Sequence, residues 1–518
     1  MNAAEQILRT LVGQSVDTCF ANPGTSEMHF VSALDRVTEI RCVLGLAETV
    51  VTGAADGYAR IAGKPAITLL HTGPGLANGL ANLHNAKRGP APILNIVGDH
   101  ATYHLALDAP LTSDVAGLAA PMSHYVETFT SAETAATQAS AAVGKTLEGA
   151  GRVVTMILPA DIAWSEGEVG RVAVKPAGRA IDLASIGVAV ESLRLGRKAV
   201  ILLGGSLTPE RLAKASRIAT ATGARLASEV FPTLLAHGAG RPKIDRIPYS
   251  PEGMHAFMAG VEDLVLIGAA PPVSFFAYPN VRSEVVPHGC TVHNLAGADD
   301  DVDDVLAELE RRVQSETATF PQNQASLSER QSGQLDAASL AKVVAAHVPH
   351  EAILVDESLT SGLTLHDETA SSPAHDWIFT TGGAIGWGLP AAVGAAVAAP
   401  DRRVIAFVGD GSAIYSLPAL WSMARERLNV TIVILANREY AILKGEYSRM
   451  KAATMGARAQ SMMTLNDPEI SFADLAKSFG VKGVRVVTAE DFDDAFAESL
   501  TTQGPTLIEA ILAGATPR

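Results

Sequence analysis

Residues 403–437 read as a strand, a helix and a second strand, with polar side chains directly after each strand. Residues 403–408 are rich in valine and isoleucine and lead into Gly409-Asp410-Gly411, and the similar run 430–435 leads into Ala436-Asn437. A helix is predicted over about residues 416–427 between them. A βαβ unit makes its strands parallel, so Asp410 and Asn437 are both expected at carboxyl ends of strands, where open α/β sheets bind ligands.

Mg²⁺ prefers oxygen ligands and usually keeps phosphate and water among them. The protein would therefore need to supply only a few ligands, such as one carboxylate, one side-chain amide and one backbone carbonyl. Gly411 and Ser412 would let a phosphate approach the backbone at the entrance of the helix. Taken alone, Gly-Asp-Gly can equally be an ordinary strand-ending turn.

Residues 45–60 read as a helix of mostly small residues that carries Glu48. Glu48 shares a helical face with Val51, Thr52 and Ala55, so its carboxylate needs a partner on a weakly polar surface. That partner is either a bound ligand or an ordinary cation. A third stretch, residues 381–390, contains four glycines and is expected either to wrap a ligand or to pack a helix entrance tightly against the sheet.

Together these three segments resemble the thiamin diphosphate (ThDP) enzymes of the decarboxylase and acetolactate synthase superfamily. The family signature is Gly-Asp-Gly followed, one helix and one strand later, by Asn-Asn, and this chain has Ala436 in place of the first asparagine. The resemblance implies Mg²⁺ ligands from Asp410, Asn437 and the carbonyl of Glu439. It implies that Glu48 bonds the aminopyrimidine ring and activates the coenzyme, a role that an apolar site favours because the carboxyl can share a proton with the ring.

The same resemblance implies a set of contacts to the coenzyme. Gly383 would accept from the amino group of the ring, Ile385 would be the apolar wedge under the bent coenzyme, and Ser412 and Tyr440 would lie beside the diphosphate. The full expected set is Pro23, Glu48, Asn78, Thr360, Gly383, Ile385, Gly411, Ser412 and Tyr440.

The substrate side most resembles benzoylformate decarboxylase, through Asn22-Pro23-Gly24-Thr25 and the Leu-His pair that ends in His71. This implies that Thr25 binds the substrate carboxylate and that His71 carries a proton near the reacting carbon. Those enzymes have a second histidine where this chain has Phe276, a departure that places simple decarboxylation of benzoylformate in question. An apolar, possibly aromatic, substrate pocket is expected from Leu111, Phe276 and Leu443.

Three functions follow. The first is a ThDP- and Mg²⁺-dependent 2-oxo acid decarboxylase, a carbon-carbon lyase that forms an aldehyde through an enamine. The second is a carboligase like acetolactate synthase, because residues 71–75 also resemble the Ser-Gly-Pro-Gly of those enzymes. The third, a non-catalytic ThDP-binding subunit, is disfavoured by the presence of Glu48.

The composition of the chain argues against several classes of binding partner. A net charge of -15 argues against nucleic acid and anionic membranes. Three cysteines without metal or redox spacing, and no targeting pattern or membrane-spanning run, predict a cytoplasmic enzyme acting on a small 2-oxo acid. Gly204-Gly205 after a strand is a weak dinucleotide signal, so FAD is not favoured. The resemblance implies a coenzyme between two subunits, hence at least a homodimer, with a homotetramer preferred.

The predicted fold class is α/β, with three doubly wound parallel-sheet domains. Residues 1–165 are expected to bind the pyrimidine ring, residues 183–313 to form a central α/β domain, and residues 336–518 to bind the diphosphate and Mg²⁺. Polar connections near residues 166–182 and 314–335 separate them.

Overall fold

The computed structural model describes residues 1–167, 181–297, 300–326, 329–451 and 454–513 of the 518-residue chain. It contains three sheets of six, five and eight strands, in which almost every strand pair is parallel. Helices pack on the sheet faces, as expected where parallel strands are joined by crossover helices. The predicted α/β class with three parallel-dominated sheets is confirmed.

The first sheet has six strands in the order β2-β1-β3-β4-β6-β5, all parallel. Its strands are β1 (Thr18–Ala21), β2 (Arg41–Leu44), β3 (Ala66–His71), β4 (Ile93–Asp99), β5 (Tyr125–Thr128) and β6 (Val153–Pro159). Its helices are α1 (Ala3–Val12), α2 (Met28–Leu34), α3 (Glu48–Ala62), α4 (Thr72–Arg88), α5 (Val115–Ala119), α6 (Ala135–Thr146) and α7 (Ala160–Trp164).

The central stretch contributes a parallel five-stranded sheet in the order β11-β9-β7-β12-β13. Its strands are β7 (Ala199–Leu203), β8 (Ser206–Leu207), β9 (Arg225–Ser228), β10 (Leu234–His237), β11 (Asp245–Arg246), β12 (Asp263–Ile267) and β13 (Thr291–Ala296). Its helices are α8 (Leu183–Arg194), α9 (Pro209–Thr222), α10 (Pro251–Met258) and α11 (Val302–Val313). Strands β8 and β10 lie outside this sheet.

The third sheet has eight strands in the order β18-β19-β17-β16-β14-β15-β10-β8. Its own strands are β14 (Ile353–Glu357), β15 (His375–Phe379), β16 (Val404–Gly409), β17 (Val430–Ala436), β18 (Lys482–Val486) and β19 (Thr506–Ile511). The helices are α12 (Ala337–His347), α13 (Leu365–Glu368), α14 (Gly388–Ala398), α15 (Asp410–Ala413), α16 (Pro418–Arg425), α17 (Ala441–Arg449), α18 (Ala457–Ser461), α19 (Phe472–Ser478) and α20 (Ala489–Thr501).

Numbered within each region, the first and third sheets share the strand order 2-1-3-4-6-5. The third sheet is extended at one edge by β10, which pairs antiparallel with β15, and by β8. The central stretch is therefore joined to the third sheet by backbone hydrogen bonds. The domain boundaries stay a prediction, and residues 168–180 of the first expected connection lie outside the described part of the chain.

Helices α3 and α14 bring the first and third regions together through backbone contact. A Cβ atom added at Gly57 would lie 2.2 Å from the carbonyl oxygen of Ala391, and one added at Gly394 would lie 1.8 Å from that of Ala54. Only glycine permits so close an approach. The helix that begins at Glu48 and the helix that follows the 381–387 segment are therefore packed backbone to backbone within one chain.

Two helix boundaries differ from the sequence prediction. The helix expected to start near residue 416 begins in pieces as early as Asp410, immediately after β16, with α16 following from Pro418. The helix expected over residues 45–60 starts at Glu48. Of the described helices, none combines the length and the hydropathy needed to span a membrane.

Candidate active site

Glu48 is the first residue of α3 and points its carboxylate at two amides. Its Oε1 accepts from Asn22 Nδ2 at 3.1 Å, and its Oε2 accepts from Asn78 Nδ2 at 3.3 Å. Asn22 follows β1, and Asn78 lies on α4. The residue is buried, with 9% exposure. Amides orient the carboxylate without neutralising it, so it keeps the capacity to bond or share a proton with a polar ligand.

His71 ends β3 and is paired with a buried carboxylate that the sequence interpretation did not assign. Its Nδ1 lies 2.9 Å from Glu27 Oε2 and 3.1 Å from Ser26 Oγ, and Ser26 also bonds Glu27. Glu27 is 2% exposed and accepts from the Gly24 backbone N–H at 2.7 Å. The imidazole is thus fixed on its inner side while part of the ring remains open to solvent, an arrangement suited to moving protons.

Glycine makes room for this pair. A Cβ atom at Gly98 would lie 1.8 Å from Glu27 Oε1, and one at Gly24 would lie 2.2 Å from the His71 ring. The signal that could have identified Glu27 is its place in Gly-Thr-Ser-Glu directly after β1. The predicted Thr25 lies next to it, exposed, at the start of a short 3₁₀ turn. Pro23 is half-buried in the same loop.

Asp410 and the turn after β17 lie together, as the βαβ reading predicts. Asp410 Oδ1 accepts from the Gly411 N–H at 2.8 Å, and its Oδ2 accepts from the Arg438 N–H at 2.6 Å. Burial raises the pKa of Asp410 to about 6. Asn437 Oδ1 accepts from the Glu439 N–H at 3.0 Å. Among the described residues Asp410 forms no ion pair, and an oxygen-rich turn with such a carboxylate offers the type of ligands that Mg²⁺ prefers.

The surroundings of Asp410 fit a diphosphate. The hydroxyl of Ser412 is buried and has no partner within the described residues. A Cβ atom at Gly411 would lie 2.4 Å from Tyr440 Cε1, so the ring covers the glycine. Thr360 lies half-buried in a 3₁₀ turn whose next residue, Ser361, accepts from Asn437 Nδ2 at 3.1 Å.

The predicted metal set has a single carboxylate. It is therefore not one of the clusters of three or more His, Cys, Asp or Glu residues, of which the described ranges contain none. The Glu439 side chain pairs with Lys444, which leaves its carbonyl as the expected ligand.

Residues 381–387 form a loop before α14, with Ile385 half-buried between two glycines of left-handed backbone, Gly383 with φ 76° and Gly386 with φ 92°. The loop is held from below by Glu357 at the end of β14, which accepts from three backbone N–H groups. Burial raises the pKa of Glu357 to about 7. Glu357 was missed by sequence reasoning.

The apolar residues expected to line the substrate pocket are partly exposed in the single chain. Phe276 and Leu443 are 54% and 46% exposed and Leu111 is 37% exposed. The neighbouring Phe275 instead faces the 381–387 loop, with its Cε1 3.3 Å from the Cβ position of Gly383. Phe275 packs against Phe231 and Tyr249, so an aromatic wall reaches this loop from the central region.

Polar groups at the carboxyl edges of parallel sheets are the arrangement with which open α/β proteins bind their ligands. The N-terminal TPP-binding domain of thiamine pyrophosphate enzymes matches residues 1–120, and the C-terminal TPP-binding domain matches residues 362–510. The chain belongs to the thiamine pyrophosphate enzymes, which confirms the resemblance read from the sequence.

Relatives whose names indicate different activities match nearly the whole chain. It is 48% identical over 514 residues, 99% of both chains, to a Mycobacterium tuberculosis protein called "Putative acetolactate synthase large subunit IlvX". It is 29% identical over 545 residues, 98% of both chains, to benzoylformate decarboxylase of Pseudomonas aeruginosa. A solved structure of the 4-hydroxybenzoylformate decarboxylase of Rhodococcus jostii RHA1 superposes with a TM-score of 0.83, 26% identity and full coverage of both chains.

Proposed function

We propose that the protein is a ThDP- and Mg²⁺-dependent 2-oxo acid decarboxylase that releases carbon dioxide and an aldehyde. The observation that carries the proposal is the His71–Glu27 pair, which lies at the same carboxyl edge of the first sheet as Glu48. A histidine held by a buried carboxylate beside the coenzyme-activating glutamate can protonate the carbon that loses carbon dioxide. The two decarboxylases among the relatives support this reading.

Bound ThDP would supply a nucleophilic carbon for the oxo carbon and a cationic ring that can take up the electron pair left when carbon dioxide departs. Glu48 would bond the pyrimidine ring, and the two amides that orient it would keep the carboxylate aligned. Asp410, Asn437 and the Glu439 carbonyl would hold Mg²⁺, with Ser412 donating to the diphosphate. Thr25 would orient the substrate carboxylate and His71 would move the proton.

We propose an apolar or aromatic side chain on the 2-oxo acid. The expected pocket residues Leu111, Phe276 and Leu443 are apolar and partly exposed in the single chain, and Phe275 adds an aromatic face at the 381–387 loop. Such a surface favours an apolar group over a charged one, because a charge there would lose water without gaining a partner.

A carboligase of the acetolactate synthase kind is the second candidate. It is favoured by the name of the 48% identical relative and by the phenylalanine at position 276. Without a second histidine, protonation of the reactive carbon would be slower, which leaves that carbon free to attack another carbonyl. We propose in both cases a homodimer at least, and a homotetramer by preference. Glu48 would then face the Asp410 site of a second subunit.

The test is carbon dioxide release from pyruvate, branched-chain 2-oxo acids and benzoylformate, with and without ThDP and Mg²⁺. The decarboxylase proposal expects cofactor-dependent release with one equivalent of free aldehyde. It also expects His71→Asn to slow release at unchanged ThDP affinity. A carboligated product in place of the aldehyde would transfer the enzyme to the second candidate. Silence across the panel with ThDP bound would refute both.

A further inference from the structure

Glu357 has a buried carboxylate whose hydrogen-bond partners, among the described residues, are backbone N–H groups at the end of the 381–387 loop and the start of α14. The 381–387 loop is called the coenzyme loop below. Glu357 Oε1 accepts from the Gly386 N–H at 2.8 Å and the Trp387 N–H at 3.0 Å, and its Oε2 accepts from the Gly388 N–H at 2.9 Å. Within the described ranges it forms no ion pair, and it is 2% exposed. Its charge is therefore offset by three peptide dipoles at the amino end of α14.

A second buried group grips both ends of the same loop from the first region. Asp56 and Arg60 of α3 form a bidentate pair with both distances 2.7 Å, and both side chains are completely buried. Arg60 also donates to the Phe379 carbonyl at 2.7 Å, just before the loop, and to Oγ1 of its first residue, Thr381, at 2.9 Å. Asp56 accepts from Nε1 of the last loop residue, Trp387, at 2.5 Å.

We propose that Glu357 and the Asp56–Arg60 pair are positioning residues that fix the coenzyme-bending loop, and with it the wedge Ile385. The inference rests on the proposed function only through the binding of ThDP to this loop. The amino ends of helices are ordinarily capped by a local Ser, Thr, Asp or Asn. The amino end of α14 is instead capped by Glu357, which lies at the end of strand β14. The described geometry gives Glu357 no other partner, so its burial is compensated at the loop alone.

The consequence is a separation of binding from activation. The residues proposed to bind the diphosphate and Mg²⁺ lie on the turns after β16 and β17. None of the three hydrogen bonds of Glu357 reaches these turns. Loss of these hydrogen bonds would leave the two turns in place but would allow Ile385 to move away from the coenzyme. The amino group of the aminopyrimidine ring would then no longer be held next to C2 of the thiazolium ring. Misplacement by about 1 Å can cost on the order of 100-fold in a positioned reaction.

The test compares Glu357→Gln with Glu229→Gln, a matched control in the central region. Glu229 is half-buried, also accepts a backbone N–H (Gly205, at 2.8 Å), and its pKa is also raised to about 7 by desolvation. Trp387→Phe, which removes the indole N–H that binds Asp56 and replaces the indole by a smaller ring, is the second variant should Glu357→Gln fail to fold. Two quantities are measured on the full-length protein: the ThDP affinity in Mg²⁺ by calorimetry, and the hydrogen–deuterium exchange rate at C2 of bound ThDP by quenched NMR.

We expect Glu357→Gln to keep the ThDP affinity within about 3-fold while C2 exchange falls by at least about 10-fold, and Trp387→Phe to fall by about 3-fold. Glu229→Gln should leave exchange within about 2-fold of the wild type, because its hydrogen bond lies outside the loop. Equal C2 exchange in the Glu357 and Glu229 variants would overturn the proposal, as would parallel losses of affinity and exchange.

The failure of the proposed function would look different. A wild type that exchanges C2–H but decarboxylates no 2-oxo acid would refute the decarboxylase reading, while the comparison of variants would still decide the role of Glu357. A wild type that binds no ThDP would refute both.

Discussion

Three buried histidines join the central stretch to the third sheet and make its stability depend on pH. His237 ends β10, His366 lies on α13 and His375 starts β15. The rings of His237 and His366 stack with centroids 4.0 Å apart, and those of His237 and His375 are 5.4 Å apart. His375 Nδ1 donates to the Pro373 carbonyl at 2.7 Å, and its Nε2 is buried without a partner in the described residues. The ring is therefore neutral in the folded protein.

Burial lowers the pKa of all three histidines, that of His375 to about 4. The charges around them are mixed. Arg246 acts on His237 and His366 and Arg241 acts on His375, and both oppose protonation. Asp356 and Asp367 act on His366 and Asp376 acts on His375, and these favour it. Desolvation is the largest cause in each case, so the neutral form prevails.

We expect the His375→Asn variant to lose part of the acid sensitivity. Asparagine can retain the donation to Pro373 while removing the titrating group. Because the folded pKa is lowered, the stability is present above the unfolded pKa of about 6.5 and is lost as pH falls toward the folded value. The loss is about 1.4 kcal/mol per pH unit in that window, or roughly 2 kcal/mol between pH 7 and pH 5.

The assay is urea unfolding of wild type and variant at pH 5, 6 and 7, followed by tryptophan fluorescence, since Trp377 lies beside the cluster. Relative to the wild type, the variant should gain roughly 2 kcal/mol in free energy of unfolding from pH 7 to pH 5, whatever its offset at pH 7. His350→Asn, at an exposed position, is the control and should show no such gain. A wild-type to variant difference that is constant with pH would refute the reasoning.

Three further outcomes are expected. Glu48→Gln should lower turnover by roughly 10²- to 10⁴-fold with ThDP still bound, measured by carbon dioxide release and calorimetry, and unchanged turnover would reject its role. Gly411→Ala should weaken ThDP–Mg²⁺ binding, because the added methyl would lie 2.4 Å from Tyr440 Cε1, whereas Gly445→Ala meets nothing within 4 Å and should leave affinity intact. Arg60→Met should cost about 3 to 5 kcal/mol in unfolding free energy by leaving a buried aspartate unpaired, and a loss below about 1 kcal/mol would contradict that reading.

The parts of the site that follow directly after strands could be read from the sequence. Asp410 and the turn after Asn437 meet in the structure because both follow neighbouring parallel strands, and the direction of a βαβ crossover fixes which sheet edge they share. Glu48 could be identified because a lone carboxylate stands out among small residues on one helical face. In these cases the local pattern and the position in the sheet carry the same information.

Contacts between distant segments could not be read in this way. Glu357 meets its three N–H groups about 30 residues later in the chain, and no spacing rule links a strand-ending glutamate to a helix entrance so far away. The choice between Phe275 and Phe276 depends on how a loop of the central region turns toward Gly383. The pairing of β10 with β15 is likewise decided by tertiary packing, since a four-residue strand has little pattern of its own.

The missed residues have a common physical cause. Glu27, Glu357 and the Asp56–Arg60 pair are all buried charges, and a buried charge is retained only where hydrogen bonds from elsewhere in the chain compensate it. Their partners outside the Asp56–Arg60 pair are backbone N–H and carbonyl groups, hydroxyls, a histidine and an indole, which have no distinctive sequence signature. The residues that are expected to contact ligands can thus be read from the sequence, whereas those that hold them in place are identified only when their hydrogen-bond partners are located in space.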